Sequence, residues 1–204
     1  MEVGCGSGYV ITSLALMLAP LPNGVYYIAT DISPHALRVT GETLEAHGLQ
    51  AELVNTDIAS GLEKHLAGLV DVLVVNPPYV PTPENEVGCE GIASAWAGGY
   101  NGRTLIDRIL PFAAAFLSPR GCLYMVTLTA NDPCDICLQM RKLGFASRIV
   151  LQRSTEEESL HIIKFWRDPE IVQLDAKQLF TAKKSVSPRL MVPQFPRLPL
   201  WKNL

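Results

Sequence analysis

The sequence predicts an α/β fold, an open sheet that is mostly parallel and ends in an antiparallel hairpin. Over residues 25–143, strand-like apolar runs alternate with helix-like segments, which is typical of a parallel sheet flanked by helices. Residues 149–151 and 160–165 then form two further strand-like runs on either side of the acidic turn at 156–158, as the arms of a hairpin would. A chain of 204 residues is long enough for one domain of ordinary size.

The charge and the cysteine content restrict the partners and the compartment. The formal net charge is -3 and the isoelectric point about 5.8, whereas a domain that clamps a nucleic-acid backbone is usually basic. The chain has five cysteines, an odd number, and no basic signal-peptide start, so we expect a location inside the cell, in the cytoplasm and secondarily in the nucleus. The apolar stretch Val10–Leu21 is too short for a membrane span and predicts a buried helix.

Cys134 and Cys137 form a lone C-x-x-C pair. They follow Asp132 and Pro133, a helix cap and a first-turn proline, and therefore fall on a helix predicted from Pro133 to Leu143. A single pair supplies only half of a zinc site, so we expect no metal here and interpret both thiols as incidental.

Three glycines, Gly4, Gly6 and Gly8, alternate directly before an apolar helix predicted from Tyr9 to Leu18. Such a turn lets the backbone approach a ligand whose anionic end can lie at the helix N-terminus. An ordinary turn is the alternative interpretation of the same residues.

The second predicted strand, Val25–Asp31, ends in a carboxylate. In nucleotide-binding βαβ units an acidic residue at this position accepts hydrogen bonds from ribose hydroxyls. Asp31 could instead cap the helix that begins at Pro34 and ends near Gly48, and the two roles are compatible.

A short third strand, Ala51–Asn55, precedes Asp57 and Ile58. The Asp57 carboxylate could accept a bond from an adenine amino group while Ile58 packs on the ring. Asp57 is equally compatible with a turn or cap role. Residues 61–69 predict only a weak helix.

The run Val70–Val75 predicts a buried strand, and it ends in Asn76-Pro77-Pro78-Tyr79. The Asn76 amide oxygen is an acceptor, and Pro77, which lacks an N–H, leaves its own carbonyl free to accept. Two acceptors on a stiff turn suit a ligand that brings a planar NH2 group.

The remaining elements complete the predicted fold. A long loop, residues 80–102, contains Trp96 among glycines and is typical of an ordered lid or platform. A helix at 105–116, a turn at 118–121 and a fifth strand at 122–128 follow, and His161 is expected to be an ordinary strand residue. We predict a domain over residues 1–166 and a flexible extension over 167–204, for which a partner-binding segment is the alternative.

Taken together, these motifs resemble the class I S-adenosylmethionine-dependent methyltransferases, which have a Rossmann-like sheet. The Asn-Pro-Pro-Tyr turn is similar to that of members that methylate a planar nitrogen. Glu90-Gly91-Ile92 and the segment from Trp96 to Arg103 resemble the HemK-like protein-glutamine methyltransferases, in particular the eukaryotic branch that modifies the Gly-Gly-Gln glutamine of the class-1 translation release factor.

The resemblance implies a role for each motif. Glu2, Gly4, Gly6 and Gly8 would line the methionine end of S-adenosylmethionine, Asp31 would bind its ribose, and Asp57 and Ile58 would bind its adenine. Asn76 would contact the cofactor. Asn76 and the Pro77 carbonyl would also accept the two amide hydrogens of the substrate glutamine. Pro78 and Tyr79 would flank that amide, and Asn76, Pro77 and Tyr79 would form the catalytic unit.

The resemblance also implies a partner and one departure from the family pattern. A small zinc-binding activator subunit would add a strand beside the edge strand Ala51–Asn55 and so form a heterodimer with this chain. The substrate of the heterodimer would be the release factor. A family member has a helical stretch and a whole first strand before the glycine turn, whereas this sequence has only Met1-Glu2-Val3 there. We therefore expect an N-terminally truncated form whose first strand is largely missing.

Four alternative functions are considered for these motifs. The same turn serves enzymes that methylate the adenine amino group in nucleic acid, and a protein lysine is a further acceptor. A truncated chain could also be inactive and only bind the activator subunit. A NAD-binding dehydrogenase would explain the glycine turn and Asp31 but would leave Asn76–Tyr79 unexplained.

Overall fold

The computed structural model describes residues 1–19, 24–89, 91–155 and 158–169. The described part of the chain contains seven strands and five α-helices. In chain order they are β1 (Glu2–Val3), α1 (Tyr9–Leu18), β2 (Ile28–Asp31), α2 (Pro34–Ala46), β3 (Glu52–Asn55), α3 (Glu63–Leu66), β4 (Val70–Val75), α4 (Thr104–Phe116), β5 (Leu117–Leu128), α5 (Pro133–Lys142), β6 (Phe145–Ser154) and β7 (Ser159–Arg167). Most of residues 167–204, the predicted extension, lies outside the described residues.

All seven strands belong to one sheet with the order β3-β2-β1-β4-β5-β7-β6. The first five strands along the chain pair in parallel, whereas β7 is antiparallel to both of its neighbours, β5 and β6. This arrangement confirms the predicted open α/β sheet with its terminal hairpin.

Strand β1 is only two residues long but lies in the middle of the sheet. Glu2 pairs with Ala29 of β2 on one side and with Val74 of β4 on the other. The Met1 carbonyl extends this pairing by accepting from the Val74 N–H at 3.0 Å. The short first strand thus still sets the register between β2 and β4.

Two hydrophobic clusters hold the helices against the sheet. The larger cluster joins α4 and α5 to strands β4, β5 and β7 and includes Phe116, Phe145 and Phe165, each at most 1% exposed. The smaller cluster joins α1 and α2 to β2 through Ile11, Ala29 and other residues. Burial of these apolar side chains is the main stabilising contribution to the fold.

Two predicted boundaries and the predicted burial of one helix were wrong. Strand β2 begins at Ile28 rather than Val25, and its first pair with β1 joins Ala29 to Glu2. The residues at 118–121 do not form a turn between elements but a bulge inside β5, because pairing with β4 passes from Leu117↔Val70 to Cys122↔Val72. Helix α1 is not wholly buried, since Met17 is 75% exposed and only one side of the helix packs on the sheet.

The other helices begin and end close to the predicted residues. Ser33 caps α2, with its hydroxyl accepting from the Ala36 N–H, and Gly48 follows the helix with a φ of 67°. Asp132 caps α5, as its side chain accepts from the Asp135 N–H. None of the helices in the described ranges is long and apolar enough to cross a lipid bilayer.

Candidate active site

The parallel register brings three predicted site residues to one edge of the sheet. Val3 pairs with Thr30 on one side and with Val75 on the other. The next residues along the three strands, Gly4, Asp31 and Asn76, therefore leave the sheet side by side, with neighbouring strands about 4.8 Å apart. Ligands of open α/β sheets bind at this carboxyl edge.

The glycine turn offers an open stretch of backbone beside these residues. Gly4 and Gly6 have φ values of 75° and 53°, and a Cβ added at either residue would meet no atom within 4 Å. Gly8 differs, because a Cβ there would lie 2.8 Å from Thr40 Cα on α2. Gly4 and Gly6 thus leave room for a ligand, whereas Gly8 permits the close packing of the turn on α2.

Asp31 accepts two backbone hydrogen bonds; it does not cap α2, because Ser33 is the N-cap, and its ribose role stays a prediction. Its Oδ1 accepts from the Ser33 N–H at 2.9 Å, which orders the start of α2. Its Oδ2 accepts from the Gly6 N–H at 3.0 Å and so ties the glycine turn to the end of β2. A carboxylate has about four lone-pair positions, which leaves acceptor capacity for a ligand hydroxyl.

Glu2 is a buried carboxylate at the base of the site. It is 2% exposed, and its Oε2 accepts from the Ile11 N–H at 2.9 Å in the first turn of α1. Burial raises the pKa of Glu2 to about 7, although the hydrogen bond from Ile11 acts in the opposite direction. Glu2 therefore changes its charge near neutral pH.

Asp57 and Ile58 follow the end of β3, and each contacts a different part of the protein. The Asp57 carboxylate accepts from Arg108 on α4 at 2.5 Å. Ile58 has a φ of 58°, is 5% exposed and packs in the larger hydrophobic cluster. Its backbone is fixed by Thr30, whose hydroxyl donates to the Ile58 carbonyl. The adenine roles of Asp57 and Ile58 remain predictions.

The turn Asn76–Tyr79 presents two acceptors that the protein does not use. Asn76 is exposed and Pro77 is buried. Within the described part of the chain, neither the Asn76 amide oxygen nor the Pro77 carbonyl accepts a hydrogen bond. Burial, together with the charge of Glu158, raises the pKa of the Tyr79 phenol, which therefore stays neutral at physiological pH. The turn can accept two N–H groups beside a neutral aromatic ring.

The predicted lid or platform is an ordered segment that packs against the turn. Val80 donates its N–H to the Trp96 carbonyl at 3.0 Å, and Gly98 donates to the Val80 carbonyl at 2.8 Å. Trp96 itself is 42% exposed. Sequence reasoning missed the residues that hold this segment in place, Asn131 and Arg103, although a polar residue just after a parallel strand is a usable signal.

Other candidate groups lie away from this edge or have ordinary roles. His161 is a buried strand residue whose Nε2 is 3.0 Å from the Thr129 hydroxyl, and burial lowers its pKa. Cys134 and Cys137 are free thiols on α5, and the described residues contain no cluster of three or more His, Cys, Asp or Glu that could hold a metal ion. Two surface cavities, of about 720 and 650 Å³, lie beside β3 and at the amino ends of β2 and β4.

Comparison with known proteins identifies the family. The family model described as methyltransferase small domain matches residues 1–95. Methyltransferase HEMK2 of Homo sapiens is 44% identical over 165 residues, which span 81% of this chain and 76% of that protein. The chain belongs to the HemK-like methyltransferases. The catalytic subunit mtq2 of the eRF1 methyltransferase of Schizosaccharomyces pombe is another relative, 35% identical over 81% of this chain and 74% of its own.

A solved structure of a HemK-like relative agrees with this assignment. It is the Mtq2–Trm112 complex of E. cuniculi, described as responsible for the methylation of the eRF1 translation termination factor. A chain of that complex superposes with a TM-score of 0.61 at 26% identity, covering 82% of this chain and 83% of its own. The shared fold is thus that of a class I methyltransferase.

The family implies S-adenosylmethionine as the methyl donor, and the residues present fit it. The open space over Gly4 and Gly6 gives the donor access to the backbone at the start of α1. Asp31 retains acceptor capacity next to that space, and Asp57 provides a second carboxylate at the same edge. These are the donor and acceptor types that a cofactor with an amino acid, a ribose and an adenine requires.

Proposed function

We propose that this HemK-like enzyme transfers a methyl group from S-adenosylmethionine to the side-chain amide nitrogen of a protein glutamine. The observation that carries the proposal is the pair of unused acceptors on Asn76 and Pro77 at the carboxyl edge of the sheet. The name of the mtq2 relative, the catalytic subunit of an eRF1 methyltransferase, supports the class-1 release factor as the substrate, and the family resemblance implies the glutamine of its Gly-Gly-Gln motif. For an enzyme acting on a translation factor we propose the cytoplasm as the main location and the nucleus as a second.

The acceptor pair addresses the weakness of an amide as a nucleophile. The lone pair of an amide nitrogen is delocalised into its carbonyl, so the nitrogen attacks poorly on its own. Asn76 and the Pro77 carbonyl would each accept one N–H, which fixes the plane of the amide and favours the positive charge that grows on the nitrogen. In the transfer the methyl carbon exchanges its bond to sulfur for a bond to nitrogen, and the nitrogen releases one proton, which passes to solvent water.

The remaining site residues place the donor and shield the amide. S-adenosylmethionine supplies an electrophilic methyl group on a sulfonium, which leaves as a neutral thioether. Gly4, Gly6 and Glu2 would contact its methionine end, and Asp31 would accept from its ribose hydroxyls. The neutral Tyr79 ring would cover the substrate amide and exclude water from it.

The free edge of the sheet supports a partner subunit. Strand β3 pairs only with β2 among the described strands, so one side of its backbone is open, and Leu53 on it is 36% exposed. A cavity of about 720 Å³ adjoins this edge and is also lined by Tyr26 and Leu49. We propose that a Trm112-like activator subunit, zinc-binding as the family resemblance implies, adds a strand here. The relative from E. cuniculi forms a complex with Trm112.

Replacing Asn76 tests the proposed chemistry. Asn76→Ala removes one of the two acceptors, so we expect methyl transfer to the release factor to fall at least about 100-fold. The affinity for S-adenosylmethionine should stay within about twofold, since the glycine turn and Asp31 remain. Transfer is measured with labelled S-adenosylmethionine, purified release factor and the organism's own Trm112 homologue, and affinity is measured by calorimetry.

Three controls accompany this assay. Asn85→Ala makes the same change at an exposed residue in the neighbouring loop and should leave transfer intact. A release factor that lacks the glutamine and a DNA substrate should both stay unlabelled. Near-normal turnover by Asn76→Ala, or labelling of DNA in place of the release factor, would refute the proposed function.

A further inference from the structure

The side chain of Asn131 connects the active turn to two other segments. Asn131 ends a short 3-10 turn after β5 and is completely buried. Its Oδ1 accepts from the Leu128 N–H at 2.6 Å. Its Nδ2 donates to the Tyr79 carbonyl at 2.7 Å and to the Asn101 carbonyl at 2.8 Å. Both N–H groups of this amide are therefore used to hold the end of the turn against the glycine-rich segment, residues 96–102.

The packing around this amide leaves almost no free space. A Cβ added at Gly102 would lie 1.9 Å from the Tyr79 carbonyl oxygen and 2.4 Å from Asn131 Nδ2. A Cβ added at Gly98 would lie 2.8 Å from the Pro78 carbonyl oxygen. Side chains are thus excluded where the two backbones meet, and the Tyr79 carbonyl has a defined position.

Arg103 in turn holds the backbone of Asn131. Its Nη1 donates to the Asn131 carbonyl at 2.9 Å. Its Nη2 also bonds Asp107 on α4 at 2.6 Å and Asp135 on α5 at 2.9 Å. Since the Arg103 side chain is only 12% exposed, these charge-assisted bonds fix Asn131 to the starts of two packed helices.

We propose that Asn131 is a positioning residue for the Asn76–Tyr79 turn. By fixing the Tyr79 carbonyl it sets where the Pro77 carbonyl and the Asn76 amide lie, two and three residues earlier in a chain stiffened by two prolines. The catalytic consequence rests on the proposed function. The bonds of Asn131 go to the turn, the glycine-rich segment and β5, so its loss should affect transfer more than donor binding.

The variant Asn131→Asp tests this role. It keeps the size of the side chain but turns an acceptor toward two carbonyls that need donors. We expect kcat for release-factor methylation to fall about 100-fold, as for a misplacement of about 1 Å, and the Kd for S-adenosylmethionine to change less than twofold. Independently of activity, hydrogen exchange of the Val80 and Gly98 amides should accelerate at least about tenfold. Arg103→Lys, which loses the bond to the Asn131 carbonyl, should cause a smaller change in the same direction.

Ser118→Ala is the matched control for a general loss of stability. It removes another side-chain hydrogen bond, the partly buried 2.7 Å bond from Ser118 to Asp71 at the opposite end of β4. This variant should keep kcat and the exchange rates of Val80 and Gly98. The inference is overturned if those rates do not change in Asn131→Asp, or if they rise equally in Ser118→Ala. An inactive parent enzyme would instead refute the proposed function, while the exchange rates would still decide the role of Asn131.

Discussion

At Glu2, a single carboxylate joins the core of the protein to the proposed donor site. Burial raises its pKa to about 7, so the folded state binds this proton more tightly than the unfolded chain does. The stability that this group contributes is full below its ordinary pKa of 4.5 and is lost as the pH rises through about 7. At neutral pH the Glu2 carboxyl is therefore partly ionised and can interact with a ligand through its charge, but this ionisation lowers the stability of the folded state.

The variant Glu2→Gln should remove this pH dependence. Glutamine keeps an oxygen that can accept from the Ile11 N–H but cannot ionise. Between pH 5 and pH 8, the free energy of unfolding of the parent should therefore fall relative to that of the variant by about 2 to 3 kcal/mol, which is most but not all of the equivalent of the pKa difference. Urea unfolding of both proteins without donor at the two pH values measures this.

An exposed carboxylate provides the comparison for Glu2. Glu63→Gln, at the start of α3, removes one negative charge from the surface and should leave the pH profile of the parent unchanged. If Glu2→Gln and the parent lose stability in parallel between pH 5 and pH 8, the buried carboxylate is not the cause.

At the scale of elements, the contact between the turn and the glycine-rich segment depends on particular glycines. Gly102 has a φ of 66° and touches the Tyr79 carbonyl, while Gly88 in the same loop has a φ of 71° and nothing within 4 Å of its Cβ position. Both would strain an alanine backbone by about 1 kcal/mol. An alanine side chain would clash with neighbouring atoms only at Gly102. Comparing substitutions at the two glycines therefore separates the effect of backbone strain from the effect of close packing.

The pair Gly102→Ala and Gly88→Ala uses this difference. Gly102→Ala should lower the melting temperature more than Gly88→Ala and should reduce methyl transfer at least about tenfold, because the turn must move away from the new methyl group. Gly88→Ala should keep most of the activity. Thermal unfolding and the labelled-methyl assay measure both effects, and equal behaviour of the two variants would contradict the role given to close packing.

The elements also show what local sequence can predict. The run Val70–Val75, the end of α2 near Gly48 and the Asp132 cap of α5 were located because burial pattern and cap chemistry act over a few residues. The bulge at 118–121 was not predicted, because its proline and glycine favour a turn. Only the pairing with β4 keeps these residues inside a strand. Likewise, Asn76 could be assigned from its own turn, whereas the role of Asn131 depends on a contact 52 residues away.

At the scale of the whole molecule, the sheet has two edges of different character. On β3 the N–H groups of Glu52 and Thr56 donate to residues of or next to β2. Successive N–H groups of a strand point to opposite sides, so the Leu53 N–H points outward. On the opposite edge, Val150 lies in a bulge of β6, where pairing with β7 passes from Ile149 to Leu151. A bulge hinders the addition of a strand, which leaves β3 as the better edge for a partner.

Proline substitutions at these two edges should separate partner binding from folding. Leu53→Pro removes an outward N–H without breaking a bond to β2, so we expect loss of co-purification with the Trm112 homologue. Val150→Pro makes the same change at the bulged edge and should keep the complex. Pull-down of tagged variants measures this, provided that circular dichroism shows both to be folded. Retention of the partner by a folded Leu53→Pro variant would exclude β3 as the docking edge.

The two unused acceptors of Asn76 and Pro77 also make the enzyme sensitive to chemical ageing of its substrate. A glutamine that has deamidated to glutamate presents two carboxylate oxygens, both acceptors, to the acceptor oxygens of Asn76 and Pro77, and neither Pro77 nor Pro78 has an N–H to give. Such a side chain would be repelled, so an aged release factor should neither be methylated nor occupy the site as a competitor. Methylation would then mark only release factors whose glutamine is still intact.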